Sequence, residues 1–292
     1  MPSPAPAAAP RVPWVVGVSG ASGTPYAAAV LRGLLTAGHP VDLVLSRAAR
    51  LTLLDETGLA WHDSSWASAL TTWLSAPLGT AAPDDSAAPD DSAAPDGVLA
   101  GVGELVRSLV AVHAPGNLAA PPSSGSYPTR GMIVVPASTA SLAGIALGLS
   151  KDLLQRCADV TLKEGRRLVV VPREMPYTGA TLRHMLALHE AGAVVAAASP
   201  GFYAGAREAT DLVDFVAGRV LDAAGVTHTL YRRWSGELGA ARRPEHPADP
   251  VPGGSAEHHD RTVAGCSLAD RAPGRAQWSA TAGSRQRVPR ST

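Results

Sequence analysis

Only two cysteines stand among the 292 residues of this chain, Cys157 and Cys266, far apart and in unlike segments. That arrangement fits a reducing compartment rather than a disulfide scaffold. An excess of charge of one sign is also missing, since 25 Lys and Arg face 25 Asp and Glu. Bulk electrostatics therefore recruit neither nucleic acid nor a membrane surface. No apolar run approaches the roughly 20 residues of a membrane span. The opening MPSPAPAAAPRVPW has no basic stretch ahead of an apolar one, as a secretory leader would. The expectation is a cytoplasmic protein. His258 and His259 are adjacent but lie in a segment without periodicity, and read as solvated side chains rather than metal ligands.

What is present is enough to fold. A hydrophobic content of 46% can bury a full core, while 25 Pro, 29 Gly and abundant Ala indicate unstructured additions. Strand-like and helix-like segments alternate. Trp14 to Val18 reads as a strand, Pro25 to Ala37 as a helix with Pro in its first turn and Gly38 beyond its end, and Val41 to Leu45 as a second strand. Ala48 to Thr57 and Val98 to Val110 read as helices. Between them AAPDDS occurs twice from Ala81 and starts again at Ala93, a run without the means to bury a core. Ala114 to Thr129 reads as a loop. The alternation resumes with strands at Gly131 to Val135, Leu168 to Val171 and Val194 to Ala197, and helices at Ser141 to Leu162, Thr181 to Ala191 and Ala209 to Ala223. Strands apolar on both faces predict a parallel sheet covered by helices on both sides: an α/β, flavodoxin-like (Rossmann-like), doubly wound, three-layer α/β/α fold. The expected organisation is a flexible start over 1–11, one domain over 12–239 with an insertion at about 77–97, and a tail over 240–292.

Two stretches carry chemistry. After the first strand, VGVSGASGTPY places Gly17, Gly20 and Gly23 at every third position, with Ser19, Ser22 and Thr24 among them. Such a loop lets backbone N–H groups approach a phosphate at a helix start. The dinucleotide pattern G-x-G-x-x-G is absent, and the second strand ends on Ser46 rather than on an acid for an adenosine ribose. A mononucleotide such as FMN is the functional reading; a tight turn is the plain one. Further on, SKDLLQRCADVTLKEGRRLVVVPREMP sets Arg156 and Lys163 seven residues apart on one helix face and puts Arg173 and Glu174 straight after an apolar strand. Three cations and a carboxylate suit an anionic substrate that needs a proton relay. Taken alone, Arg156 and Lys163 read as a solvated face rather than a site.

The segments VGVSGASGTPYAAAVL, LSRAARLTLLDE, SSGSYPTRGMIVVPAST, DLLQRCADVTLKEGRRLVVVPREMP, GAVVAAASPGFY and DLVDFVAGRVLDAAGV, followed by RRW, closely resemble the UbiX flavin prenyltransferases. The resemblance runs in order from about Val12 to Gly239, interrupted by the acidic repeat. It implies an enzyme that joins the dimethylallyl group of dimethylallyl monophosphate to reduced FMN. The product, prenylated FMN, serves UbiD-type decarboxylases. It also implies a homo-oligomer, usually a dodecamer, whose sites draw on neighbouring subunits, and no metal.

By the same resemblance Gly20, Ala21, Ser22, Ser46, the turn Ser138, Thr139, Ala140 and Ser141, and Arg173 bind FMN. Ser124, Lys163, Tyr203 and Arg219 hold the prenyl phosphate, with Arg156 close by. Glu56 and Glu174 match essential carboxylates, and Trp234 an aromatic residue that covers the prenyl group. The residue types suit the reaction. Breaking an allylic C–O bond develops cationic character that an aromatic face stabilises, while a basic cluster holds the departing phosphate. Departures are Arg47 for a common lysine, Ala137 for a frequent cysteine and Ala204 for a common histidine. Two alternatives remain: a flavin-dependent cysteine decarboxylase of the same fold, which the absence of P-x-M-N opposes, and a non-catalytic FMN-binding module, which needs none of the phosphate-side residues.

Overall fold

The computed structural model describes residues 11–76 and 96–236. Most of the acidic repeat and the stretch from 237 onward, and with them Cys266, His258 and His259, lie outside those residues. Six strands form one sheet: β1 Trp14–Val18, β2 Val41–Leu45, β3 Val110–His113, β4 Gly131–Ala137, β5 Arg167–Pro172 and β6 Val194–Val195. All pairs are parallel, in the order β3-β2-β1-β4-β5-β6. This is the doubly wound arrangement the apolar strands predict, and its winding reverses between β1 and β4.

Strand alternation sorts the core into two layers. Trp14, Val16 and Val18 of β1, with Leu43, Ile133 and Val169, pack against α1 Thr24–Thr36, α2 Arg47–Thr57, α3 Trp66–Ser75, α4 Asp96–Leu109 and α8 Ala209–Ala224. On the other face Val15, Val44, Met132, Val134 and Val170 meet α5 Thr139–Ala146, α6 Leu153–Lys163 and α7 Gly179–Glu190. Because each central strand buries both faces, no register slip escapes a loss of packing.

Several elements differ from the sequence reading. Val110–His113 is a strand, although Leu109, Val110 and Val112 continue the apolar pattern of α4. Pairing of Val41 with Val110 and of Leu43 with Val112 imposes the extended form. The stretch from 141 to 162 is two helices instead of one. Gly148 and Ser150 adopt positive φ, of 63° and 46°, and Asp152 caps the second helix by accepting from Gln155 N. Helix α3 lacks a side-chain cap and carries Trp, Thr and Ser, which hid its buried stripe of Ala69, Leu70, Trp73 and Leu74. Helix α4 begins at Asp96, inside the boundary expected near 97, and β6 is two residues long.

Candidate functional site

Where the winding reverses, β1 leads outward through α1 to β2 and β4 leads the other way through α5 and α6 to β5. The crevice beyond their carboxyl ends is where such sheets bind ligands. Here it is a cavity of about 450 Å3 lined by residues including Gly20, Ser46, Arg47, Ala48, Ser138, Ala140, Ser141, Lys151, Asp152 and Gln155. That volume suits a small molecule. Gly20 is needed at its wall, since a Cβ there would stand 2.3 Å from that of Ala48.

Three helices, α2, α5 and α6, begin at this cavity. Their caps take the third amide: Ser46 Oγ accepts from Ala49 N at 3.0 Å, Ser138 Oγ from Ser141 N at 3.2 Å and Asp152 Oδ1 from Gln155 N at 2.9 Å. The earlier first-turn amides have no intrahelical acceptor, and the positive ends of three dipoles converge. With Arg47 and Lys151 also in the lining, the cavity favours an anion.

The sequence reading put that anion at the start of α1. The structure corrects this, because the chain supplies its own carboxylate there. Glu56, from the last turn of α2, accepts from Gly23 N and Thr24 N, each at 2.8 Å, and from Thr24 Oγ1 at 2.6 Å. Gly23 provides no side-chain cap, so Glu56 caps α1 from a neighbouring helix. Burial pushes the Glu56 carboxyl up, but hydrogen bonds from Thr24, Ser22 and the two backbone N–H groups outweigh it and hold it below its ordinary value. Ser19 and Thr24, read as ligand hydroxyls, are both buried. Ser19 Oγ donates to Pro136 O at 2.8 Å and accepts from Ser138 N at 2.7 Å, tying β1 to β4. Ala21 is buried and Ser22 is exposed.

Arg173, after β5, lies beside the same loop: its Cγ is 3.8 Å from where a Cβ of Gly23 would stand. Its Nε is buried with no hydrogen-bond partner among the described residues. A buried donor without an acceptor is costly unless a ligand supplies one. That orphan, the Gly20 wall and the converging amides fit the FMN that the resemblance implies. Glu174 is exposed, its Oε1 accepting from Met175 N at 2.9 Å. In the loop between β6 and α8, Tyr203 stands edge-on to Phe215 at 5.4 Å and to Trp234 at 5.9 Å, and Trp234 is 54% exposed. Arg219 on α8 is exposed and bonds Asp222 Oδ2 at 3.1 Å.

Of the remaining residues, Arg156 lies in the first turn of α6, near the cavity end, and Lys163 lies at the other end of the sheet. Lys163 ends α6, four residues before β5 begins, and its Nζ pairs with Glu164 at 2.5 Å beside Gly125. Arg166 donates to Gly125 O at 2.6 Å and Tyr127 O at 2.9 Å, holding the loop of Ser124 against α6. Arg156 donates through Nε to Ser123 O at 3.1 Å and pairs with Asp159. Helix α6 runs antiparallel to β5, so Lys163 sits at the amino end of that strand while Arg173 and Glu174 follow its carboxyl end. The six residues of β5 separate them by about 20 Å. A single chain therefore does not bring together the three cations and carboxylate that the sequence reading grouped.

Residues the sequence reading did not single out as ligands include Arg47, Pro115, Gly116, Lys151, Asp152 and Gln155 in the lining. The helix-start signals at Ser46 and Asp152 could have marked two of those segments; Pro115 and Gly116 arrive only through the course of the loop after β3.

Residues 3–221 match the family model described as Flavoprotein. The chain is 61% identical over 231 residues to a Streptomyces coelicolor protein named flavin prenyltransferase UbiX, covering 79% of this chain and 99% of that one. A Pseudomonas aeruginosa protein of the same name is 34% identical over 217 residues, covering 74% of this chain and 91% of that protein. Among solved structures, AnUbiX (PadA1) in complex with FMN and dimethylallyl pyrophosphate matches with a TM-score of 0.60 at 35% identity, covering 78% of this chain and all of the other. A dodecameric FMN-dependent Ubix-like decarboxylase from Escherichia coli O157:H7 matches with a TM-score of 0.59 at 34% identity, covering 77% of this chain and all of the other.

Proposed function

Since the chain belongs to the flavoprotein family and, within it, to the UbiX flavin prenyltransferases, we propose that it transfers the dimethylallyl group of dimethylallyl monophosphate to reduced FMN. The observation that carries this is the cavity at the winding reversal, where Gly20, Ser46 and Ser138 meet three helix starts beside the unpaired Arg173 Nε. Reduced FMN, a substrate here, contributes the nucleophilic ring. Arg173 is assigned to orient that ring, and Ser22, Ser46 and the turn from Ser138 to Ser141 to hold the rest of the molecule.

The other partner departs as phosphate, taking the electron pair of the broken allylic C–O bond. Ser124, Lys163, Tyr203 and Arg219 are assigned to that phosphate, with Arg156 shaping the Ser124 loop; together they offer the charged and neutral donors a dianion needs. Trp234 presents an aromatic face to the developing cation. Glu174 is assigned to deliver a proton to the leaving phosphate. The distance between Lys163 and Glu174 within one chain supports a site shared between subunits, in which one copy supplies the flavin cavity and another the Lys163 end. The product would serve a UbiD-type decarboxylase. Cys157 is a buried free thiol whose burial pushes its pKa up to about 12, which leaves it unreactive.

Anaerobic incubation of the protein with reduced FMN and dimethylallyl monophosphate tests the reading. Mass spectrometry should find a flavin heavier by one C5H8 unit; unmodified FMN after full incubation overturns it.

A further inference from the structure

Residues 226–234 cross back over α8 without helix or strand and end at Trp234. Segments of this kind order only when side chains fix them. Here one carboxylate gathers several side-chain ties. Asp222 on α8 accepts from Tyr231 Oη at 2.6 Å, from Arg233 Nη2 at 2.7 Å and Nη1 at 3.2 Å, and from Arg219 Nη1 at 3.1 Å, and it pairs with His228 Nε2 at 3.1 Å. One turn earlier, Gly218 makes room for the same segment: a Cβ there would stand 2.5 Å from Tyr231 Cδ1 and 2.7 Å from His228 Cε1. Tyr231 in turn packs on Phe215 at 5.0 Å, and Phe215 meets Tyr203, the ring on which Trp234 rests.

We propose that Asp222 is a positioning residue for prenyl transfer, acting through the segment it ties down to hold Trp234 against Tyr203. The inference rests on the prenyltransferase reading, because only there does the placing of Trp234 matter to turnover. Asp222 has no place in the flavin cavity lining. Its loss should therefore spare FMN binding, and Asp222→Asn is the informative change, since it keeps the shape but cannot hold two guanidinium groups by charge.

The test is a double-mutant cycle in the full chain with reduced FMN and dimethylallyl monophosphate, reading single-turnover prenylation. Asp222→Asn should slow prenylation roughly tenfold, within the range of coupling between residues in one network. In a Trp234→Ala background the same change should cost less than about twofold at saturating dimethylallyl monophosphate, where weaker phosphate binding through Arg219 no longer limits the rate and the group Asp222 acts through is gone. FMN affinity should stay that of the parent, and hydrogen exchange should rise in a peptide covering 226–236 but not in β1 or β4. Tyr231→Phe, which removes one hydroxyl, should give the same pattern more weakly and serves if Asp222→Asn does not fold. Equal losses in the presence and absence of Trp234, or an unchanged rate, overturn the proposal. A wild-type chain that makes no heavier flavin overturns the prenyltransferase reading instead, which keeps the two failures apart.

Discussion

The two ends of the parallel sheet are built from different chemistry. Beyond the carboxyl ends, glycine, serine hydroxyls and helix-start amides enclose a cavity, and its polar groups are fixed by capping bonds. At the amino end Lys163, Glu164 and the Ser124 loop face outward, and the Lys163 side chain is 46% exposed. A preformed pocket suits a flavin that binds by shape and many weak donors. Surface cations suit a phosphate that arrives with each turnover and must leave again. The comparison teaches that one chain encloses a cavity at the carboxyl end of its sheet and leaves Lys163 outside it, at the other end.

The sharpest way to break that comparison is Glu174→Gln. If Glu174 delivers the proton, single-turnover prenylation at saturating dimethylallyl monophosphate should fall by roughly 10²–10⁴-fold while FMN binding survives. A near wild-type rate would move the proton transfer to Glu56 or to the phosphate.

Lys163→Ala comes next. Removing a charge-assisted contact should weaken prenyl phosphate binding and turnover by roughly 10–100-fold, leaving the flavin cavity at the far end of β5 untouched. Co-assembly of Glu174→Gln subunits with Lys163→Ala subunits should restore part of the activity, since mixed sites then contain one intact copy of each group. Absence of rescue in verified mixed oligomers would confine each site to one chain.

A smaller effect concerns Glu56 as the cap of α1. Glu56→Gln should cost about 1 kcal/mol of unfolding stability, the usual worth of a cap. The sign with pH follows from the depressed carboxyl: its contribution is fully present above the unfolded value, near 4.5, and is lost as pH falls through the lower folded value. Denaturation curves of wild type and variant should thus differ at pH 7 and converge in acid. A gap that widens on acidification would contradict the capping role.

The smallest effect belongs to the additions. Deleting 81–95, or ending the chain after Gly239, should leave soluble protein that binds FMN with wild-type affinity. Loss of FMN-bound protein in both cases would show that these segments complete the domain.

Much of the architecture was readable where pattern is local. The apolar runs of β1, β2, β4 and β5, Gly38 after α1 and the cap at Ser46 each announce themselves within a few residues. Val110–His113 did not, because its strand form depends on β2 lying alongside. Ser19 and Thr24 looked like ligand groups, and only the packing of β4 and α2 around them turned their hydroxyls inward.

By itself the sequence determined the alternation of strands and helices, the glycine and serine turns that line the cavity, and, through resemblance, the family. These follow from hydrophobic period and backbone stereochemistry, which act over neighbouring residues. Only the tertiary structure decided that Glu56 occupies the start of α1, that Asp222 gathers the segment bearing Trp234, and that Lys163 and Glu174 lie at opposite ends of β5. Each of those depends on residues distant in the chain meeting in space, and a parallel crossover, by returning every helix antiparallel to its strand, carries close sequence neighbours to opposite ends of the sheet.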